Sequence, residues 1–213
     1  AGKVYDHTGQ PAAGVPLSLR GAGLSATSIR STKAEGLLAS SVTIEITTSG
    51  ANGTFIFSGL PDGNYTIQGD QSDQYKVIRQ NIALIGGNSI DLGTLTLAQT
   101  GAISGHAFFA DQNTHLGIDV FIPGTSFTAK TAADGSYILL YVPPGTFEID
   151  ATYLNYISAS WEGVSVLSGM TGTPRALVIY PEAGGIYGGV TMEVRDYFTG
   201  SPLPTVDVTI GHV

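Results

Sequence analysis

Apolar and polar positions alternate with a period of two along much of the chain. Phe55 and Phe57 point one way, and Thr54, Ile56 and Ser58 the other. Tyr65 and Ile67 alternate with Asn64, Thr66 and Gln68. Phe147, Ile149, Ala151 and Tyr153 alternate with Glu148, Asp150 and Thr152. This spacing predicts strands of a half-buried antiparallel sheet. Between the alternating runs stand Leu-Pro-Asp-Gly, Ala-Ala-Asp-Gly and Val-Pro-Pro-Gly, whose Asp-Gly and Pro residues preset tight turns. No stretch longer than about ten residues carries a helical stripe. The best helix candidate, residues 28–41, is interrupted by Gly36.

The pattern is written twice. Gly53, Pro61 and Gly63 recur 82 positions later as Gly135, Pro143 and Gly145, and Phe55, Phe57, Tyr65 and Ile67 recur as Tyr137, Leu139, Phe147 and Ile149. A period of this length marks a domain in tandem rather than a solenoid turn. A third copy begins: Thr-Gly-Gln-Pro at residues 8–11 returns as Thr-Gly-Ser-Pro at 199–202. The chain therefore divides into a first unit at 1–99, a second at 100–182 and the opening strands of a third at 183–213. The first unit carries an insertion at about 20–41, between its second and third strands, which reads as a tolerated surface loop. Short linkers, Leu-Ala-Gln-Thr-Gly-Ala-Ile-Ser and Ile-Tyr-Pro-Glu-Ala-Gly-Gly-Ile-Tyr-Gly, would set the units in a near-linear row.

The first unit, with Gly-Lys-Val-Tyr-Asp-His-Thr-Gly-Gln-Pro-Ala-Ala-Gly-Val at residues 2–15 and Gly-Thr-Phe-Ile-Phe-Ser-Gly-Leu-Pro-Asp-Gly-Asn-Tyr-Thr-Ile at 53–67, resembles the carboxypeptidase regulatory-like family. The second unit departs from that pattern at its start, where the Gly-x-Pro is missing. The resemblance implies seven-stranded Greek-key β-sandwiches of the transthyretin-like, Ig-like type, related to collagen-adhesin B-type modules. Some of those relatives carry a Lys–Asn isopeptide bond. Lys3 and Asn88 are the only pair here that suggests one, and the buried acid it needs is missing.

Composition narrows the chemistry. The net charge is −8, with nine Lys and Arg residues and no clustered basic patch, which sets nucleic acid and anionic lipid aside. No apolar run is long enough for a membrane-spanning helix, so no membrane insertion is expected in this segment. Cysteine is absent, and with it disulfides, thiolate metal sites and cysteine nucleophiles. No Gly-x-Ser-x-Gly elbow or phosphate loop appears, so the expectation is no enzyme, no cofactor and no metal. His106, His115 and Asp111 flank one hairpin and would make at best a weak metal site; solvated hairpin residues are the simpler reading. Asp6, Asp111 and Asp196 follow each opening strand, where a short carboxylate accepts backbone N–H bonds in the turn.

Two features point outward. Trp161, with Tyr156 and Tyr153 nearby, is a candidate glycan-stacking group, against the simpler reading that the indole packs on the sandwich edge. Asn52 and Asn64 open the sequons Asn52-Gly53-Thr54 and Asn64-Tyr65-Thr66, candidate glycosylation sites at turns. Together these patterns predict an extracellular or cell-surface structural or adhesive array: a stalk, a spacer or a filament subunit. Its partners would be neighbouring copies or domains, joined by strand addition in the filament case. The alternative is a carbohydrate-binding accessory to a larger extracellular enzyme.

Overall fold

The computed structural model describes residues 1–22 and 42–182. The helix candidate at 28–41, most of the insertion and the third unit lie outside the described residues, as do Asp196 and His212.

The first half contains β1 (Gly2–Tyr5), β2 (Pro16–Ala22), β3 (Val42–Thr48), β4 (Thr54–Phe55), β5 (Gly63–Asp70), β6 (Tyr75–Leu84), β7 (Thr94–Thr96) and β8 (Ala98–Gln99). They form a small sheet in the order β4-β1-β7 and a larger one in the order β3-β2-β5-β6-β8. The second half contains β9 (Gly101–Phe109), β10 (Asp119–Phe121), β11 (Thr128–Lys130), β12 (Ser136–Val142), β13 (Gly145–Thr152), β14 (Tyr156–Ile157), β15 (Ala159–Val166), β16 (Thr171–Gly172) and β17 (Leu177–Pro181). Its sheets run β11-β10-β13-β15 and β12-β9-β17-β14, with β16 also on β9. Strand for strand, β12-β9-β17 repeats β4-β1-β7, and β11-β10-β13-β15 repeats β3-β2-β5-β6.

Two β-sandwiches thus stand in tandem, each closed over its own interior. Val4, Leu17, Leu19, Phe55, Tyr65, Ile67, Leu95 and Leu97 fill the first. Ile103, Ile118, Val120, Leu139, Phe147, Ile149, Val166 and Ile179 fill the second. One feature departs from an all-antiparallel reading: β7 runs parallel to β1, and β16 and β17 run parallel to β9. Alternation identifies a strand's buried face but carries no information on the direction of its neighbour.

The 82-residue echo has a steric cause. Gly53 and Gly135 sit at φ +76° and +82°, and each carbonyl accepts the amide of a core residue on the crossing strand, Val4 at 2.8 Å and Ala107 at 2.9 Å. A Cβ at Gly53 would lie 2.3 Å from the Val4 carbonyl oxygen, and one at Gly135 2.7 Å from that of Ala107. Gly2 faces Phe55 and Gly105 faces Tyr137 across the ladder, where a Cβ would press on the ring at 2.9 Å and on the hydroxyl at 2.7 Å. Each glycine is the space that lets the hairpin or ring close against the central strand.

A buried hydroxyl repeats as well. Ser49 Oγ donates to the Ala12 carbonyl at 2.7 Å and accepts the Val15 amide at 2.9 Å. Thr131 Oγ1 donates to the His115 carbonyl and accepts the Ile118 amide at 2.9 Å. Both side chains are buried, and each satisfies backbone groups that a bend after the first strand would leave without partners.

Gly53→Ala and Gly135→Ala are each expected to lower unfolding free energy by about 2–4 kcal/mol, combining left-handed strain with backbone collision. Gly14, at φ +71° with nothing within 4 Å of its would-be Cβ, supplies the control. Gly14→Ala should cost only about 1 kcal/mol. Urea unfolding of the three variants checks the ranking.

Candidate functional site

The turn carboxylates behave as backbone acceptors. Asp6 Oδ1 accepts the Thr8 amide at 2.8 Å, the Thr8 hydroxyl at 2.7 Å and the Gln10 amide at 2.9 Å. Its carboxyl is held below the usual range, first by the Thr8 hydroxyl and then by the Gln10 amide. Asp134 is lowered by the hydroxyl and amide of Ser136, and Asp62 by the amides of Gly86 and Gly87. Asp111 differs: it accepts the Tyr156 hydroxyl at 2.9 Å. Among the described residues no group of three or more His, Asp or Glu is arranged to hold a metal ion. His115 is engaged instead through Nδ1, which accepts the Phe109 amide at 3.1 Å, while His106 stacks on Phe108 and His7 on Tyr75.

The three aromatic candidates separate into two places. Tyr153 and Tyr156 meet edge to face at 5.7 Å, and both lean on Phe109, at 4.8 and 4.7 Å. The Tyr156 hydroxyl is tethered by Asp111 and Gln112, which leaves Tyr153 as the more open ring, 40% exposed. Trp161 lies apart from this cluster. It pairs with Ile149 across the β13–β15 ladder, packs on the second core and carries the Arg175 guanidinium 4.8 Å above its ring. Of the sequons, Asn52 is exposed but its Oδ1 accepts the Thr54 hydroxyl at 2.6 Å. Asn64 is exposed on β5, while Thr66 is buried. Asn88 is exposed and its Nδ2 donates to the Ile85 carbonyl at 2.9 Å.

The most built polar constellation is one that sequence reading missed, at the joint between the sandwiches. Gln68 sits on the outer face of β5, opposite Ile67, yet is only 2% exposed. Its Nε2 donates to Ser126 Oγ at 2.8 Å, and its Oε1 accepts the Ser126 hydroxyl at 3.0 Å and amide at 3.3 Å. Behind it Asp70 accepts Gln68 Nε2 at 3.2 Å and the Lys76 ammonium at 2.9 Å. Ile78, opposite Gln68 in the ladder, packs against the second core. The connecting chain has no slack. Gln99 pairs with Tyr75, and the Thr100 amide and hydroxyl donate to the Gln74 and Asp73 carbonyls at 2.9 and 2.7 Å; β9 starts at Gly101. The contact is made on the flank of the larger sheet, near the β5–β6 turn, rather than end on. The one trace of it in the sequence is a glutamine where an outward strand position needs no particular residue.

No family model matches the chain, and no curated protein matches it. Among solved structures, the minor pilin of Streptococcus agalactiae is 14% identical with a TM-score of 0.36, over 85% of this chain and 89% of that one. The shaft pilin of Lactobacillus rhamnosus GG is 12% identical with a TM-score of 0.29, over 88% and 98%. A mutant type II cohesin–X-dockerin complex of Acetivibrio cellulolyticus is 23% identical with a TM-score of 0.35, over 42% of this chain and 65% of that one. The chain spans 58% and 65% of the two cohesin–X-dockerin structures it matches. Likeness at these TM-scores decides nothing about function.

Asp150 supplies a titration signal in the second sandwich. Burial, and then the charge of Glu148, push its carboxyl up to about 6, and its Oδ1 has no hydrogen-bond partner. A raised acid binds more protons folded than unfolded, so its contribution falls as pH rises from about 4 to about 6 and stays low above. Asp6, Asp62 and Asp134 act oppositely: their stabilisation is present above about pH 4 and is lost below. Asp150→Asn is expected to stabilise the protein at pH 7 by about 1 kcal/mol after solvent screening, and to have no effect at pH 4. Urea unfolding at the two pH values checks both sign and window.

Proposed function

We propose that the chain is a rigid, non-catalytic spacer: two sandwich modules, 1–99 and 100–182, of an extracellular or cell-surface structural array. The observation that carries this reading is the joint. A linker with free length would let the modules tumble separately. Here Thr100 is bonded back to the β5–β6 turn, and Gln68 is buried on Ser126 of the next module. A polar contact whose buried partner, Gln68, is fully hydrogen-bonded fixes orientation more than it adds stability.

The motif resemblance supports modules of the carboxypeptidase regulatory-like type, with a further copy opening at residue 183. Neighbouring modules or copies of the same protein are the partners in this reading, and the exposed Asn52 and Asn64 suit glycan attachment at a cell surface. The carbohydrate-binding alternative keeps Tyr153 and Tyr156 as one stacking edge, without Trp161, whose face is taken by Arg175.

Gln68→Ala leaves Ser126 and Asp70 short of a partner and is expected to loosen the joint. Rotational correlation times of the two modules, measured by NMR relaxation, should be equal in the parent protein and diverge in the variant. Independent tumbling in the parent protein would refute the spacer reading. Glycan-array binding that is lost in Tyr153→Ala but kept in Trp161→Ala would favour the carbohydrate alternative.

A further inference from the structure

The β12-β9-β17-β14 sheet of the second sandwich ends at β12, and among the described residues no strand pairs with the outer side of that edge. The hydrogen bonds of β9 show which β12 groups face outward. The Ala107 amide donates to the Gly135 carbonyl on the β12 side, whereas the Ala102 and Ala110 amides donate the other way, to Met170 and Ile179. Ladder partners share this alternation. Tyr137 and Leu139, opposite Gly105 and Ile103, therefore turn their backbone groups toward β9, and Ile138 and Leu140 turn theirs to the open edge. The Ser136 carbonyl already accepts the Ala132 amide, and a bulge at Tyr141 interrupts the ladder before Val142. The free stretch of edge is residues 138–140.

Its side chains are apolar and open. Ile138, Leu140 and Tyr141 are 49%, 50% and 45% exposed. The first sandwich carries Ile56, Ser58 and Gly59 at the corresponding positions, 82 residues earlier. Elsewhere on the same outer face the ladders match Lys3 with His106 and Thr96 with Val178. The first sandwich is thus polar where the second is apolar or uncharged. Exposed apolar groups gathered on one strand edge mark a contact surface, while scattered ones need no explanation.

Two further observations single out this edge. Tyr141 stands at φ +60°, and Gly59 at the matching position stands at +70°. A tyrosine there meets a steric cost that glycine avoids, and its exposed ring gains little burial in return. Strain held in this way marks a position whose side chain is used. The second observation is charge. No Asp, Glu, Lys or Arg occurs from residue 135 to residue 147, nor within β9 or β17. Copies of a chain with net charge −8 repel one another, and an uncharged strip is where that repulsion is weakest.

We infer that β12 is a self-association edge, on which two copies of the protein pair β12 with β12, antiparallel, about a two-fold axis at Leu139. Ile138 of each copy then lies opposite Leu140 of the other. Both residues face the edge, so each pair exchanges backbone hydrogen bonds, about four in all. This register is set by the groups that are free. Centring on Ile138 would call on the Ser136 carbonyl, which is taken, and centring on Leu140 would call on Val142, beyond the bulge. The Ile138 and Leu140 side chains meet as cross-strand pairs on the outer face. A second copy fits because the strip complements itself in register and carries no charge to oppose its own image. The inference rests on the spacer reading only in taking copies of the protein as partners.

Sedimentation equilibrium from about 1 μM to about 1 mM protein supplies the test. The protein is expected to show a reversible monomer–dimer equilibrium, weak as small interfaces are. It should tighten as salt rises from about 0.05 to about 0.5 M, because salt screens the repulsion between copies. Amide exchange at Ile138 and Leu140 should slow at least about fivefold between dilute and concentrated protein. Leu140→Ser combined with Tyr141→Gly, which places the first sandwich's residues on this edge, should weaken the dimer at least about tenfold while keeping a cooperative thermal transition. Ile56→Ser, on the corresponding strand of the first sandwich, should leave the dimer unchanged. A protein that stays monomeric throughout overturns the proposal, as does a dimer with no slowing at Ile138 and Leu140, or one indifferent to the double substitution. Slowing of those two amides by an added Val-Thr-Val-Thr-Val peptide, with no dimer formed, also overturns it, since the edge would then take a foreign strand. The relaxation measurement on the joint, made on the monomeric double variant, judges the spacer reading separately from the dimer.

Discussion

The central strand of the smaller sheet is the constraint on which both sandwiches depend. β1 and β9 are each clamped on two sides, by the antiparallel hairpin strand β4 or β12 and by the parallel closing strand β7 or β17. The clamp works only because backbone meets backbone at Gly53 and Gly135, and because Gly2 and Gly105 yield space to an aromatic ring. Those contacts bring the two ends of each unit together. The interior apolar residues then follow the strands' alternation.

The same strand organises what lies outside each core. In the second sandwich the leading half of β9 covers its own end of the interior, with Ile103 opposite Leu139 and fully buried. Because β9 starts two residues after β8, the second sandwich is placed by the first sandwich's edge rather than by a tether. The Gln68–Ser126 pair, backed by Asp70 and Lys76, then fixes which flank is used. One element thus determines closure, end cover and placement.

Much of this could be read in the sequence. Alternation about Phe55, Tyr65 and Phe147 located the sheets, and the 82-residue echo of Gly53 and Pro61 located the second sandwich. Those signals are legible because turn geometry and period-two burial are local. The parallel pairing of β7 with β1 was not legible, since strand direction depends on residues some 90 positions apart. The joint was hidden for a related reason: Gln68 occupies a position that reads as solvent-facing until Ser126 covers it. Trp161 and Tyr156 are close in sequence, yet Trp161 faces inward beside Ile149 and Tyr156 stands over Phe109. Ser49 and Thr131 repeat 82 apart like the glycines, but a serine and a threonine share too little in a sequence to stand out.

The Thr100 bonds carry a mechanical consequence. Tension reaching Gly101 from the second sandwich meets the Asp73 and Gln74 carbonyls first, and the β6–β8 pairing next. Force is therefore handed directly from one sheet to the other, with no loose span to take up. A string of such units would stretch little until a ladder sheared, behaving as a stiff rod with a definite yield point rather than as an elastic cord.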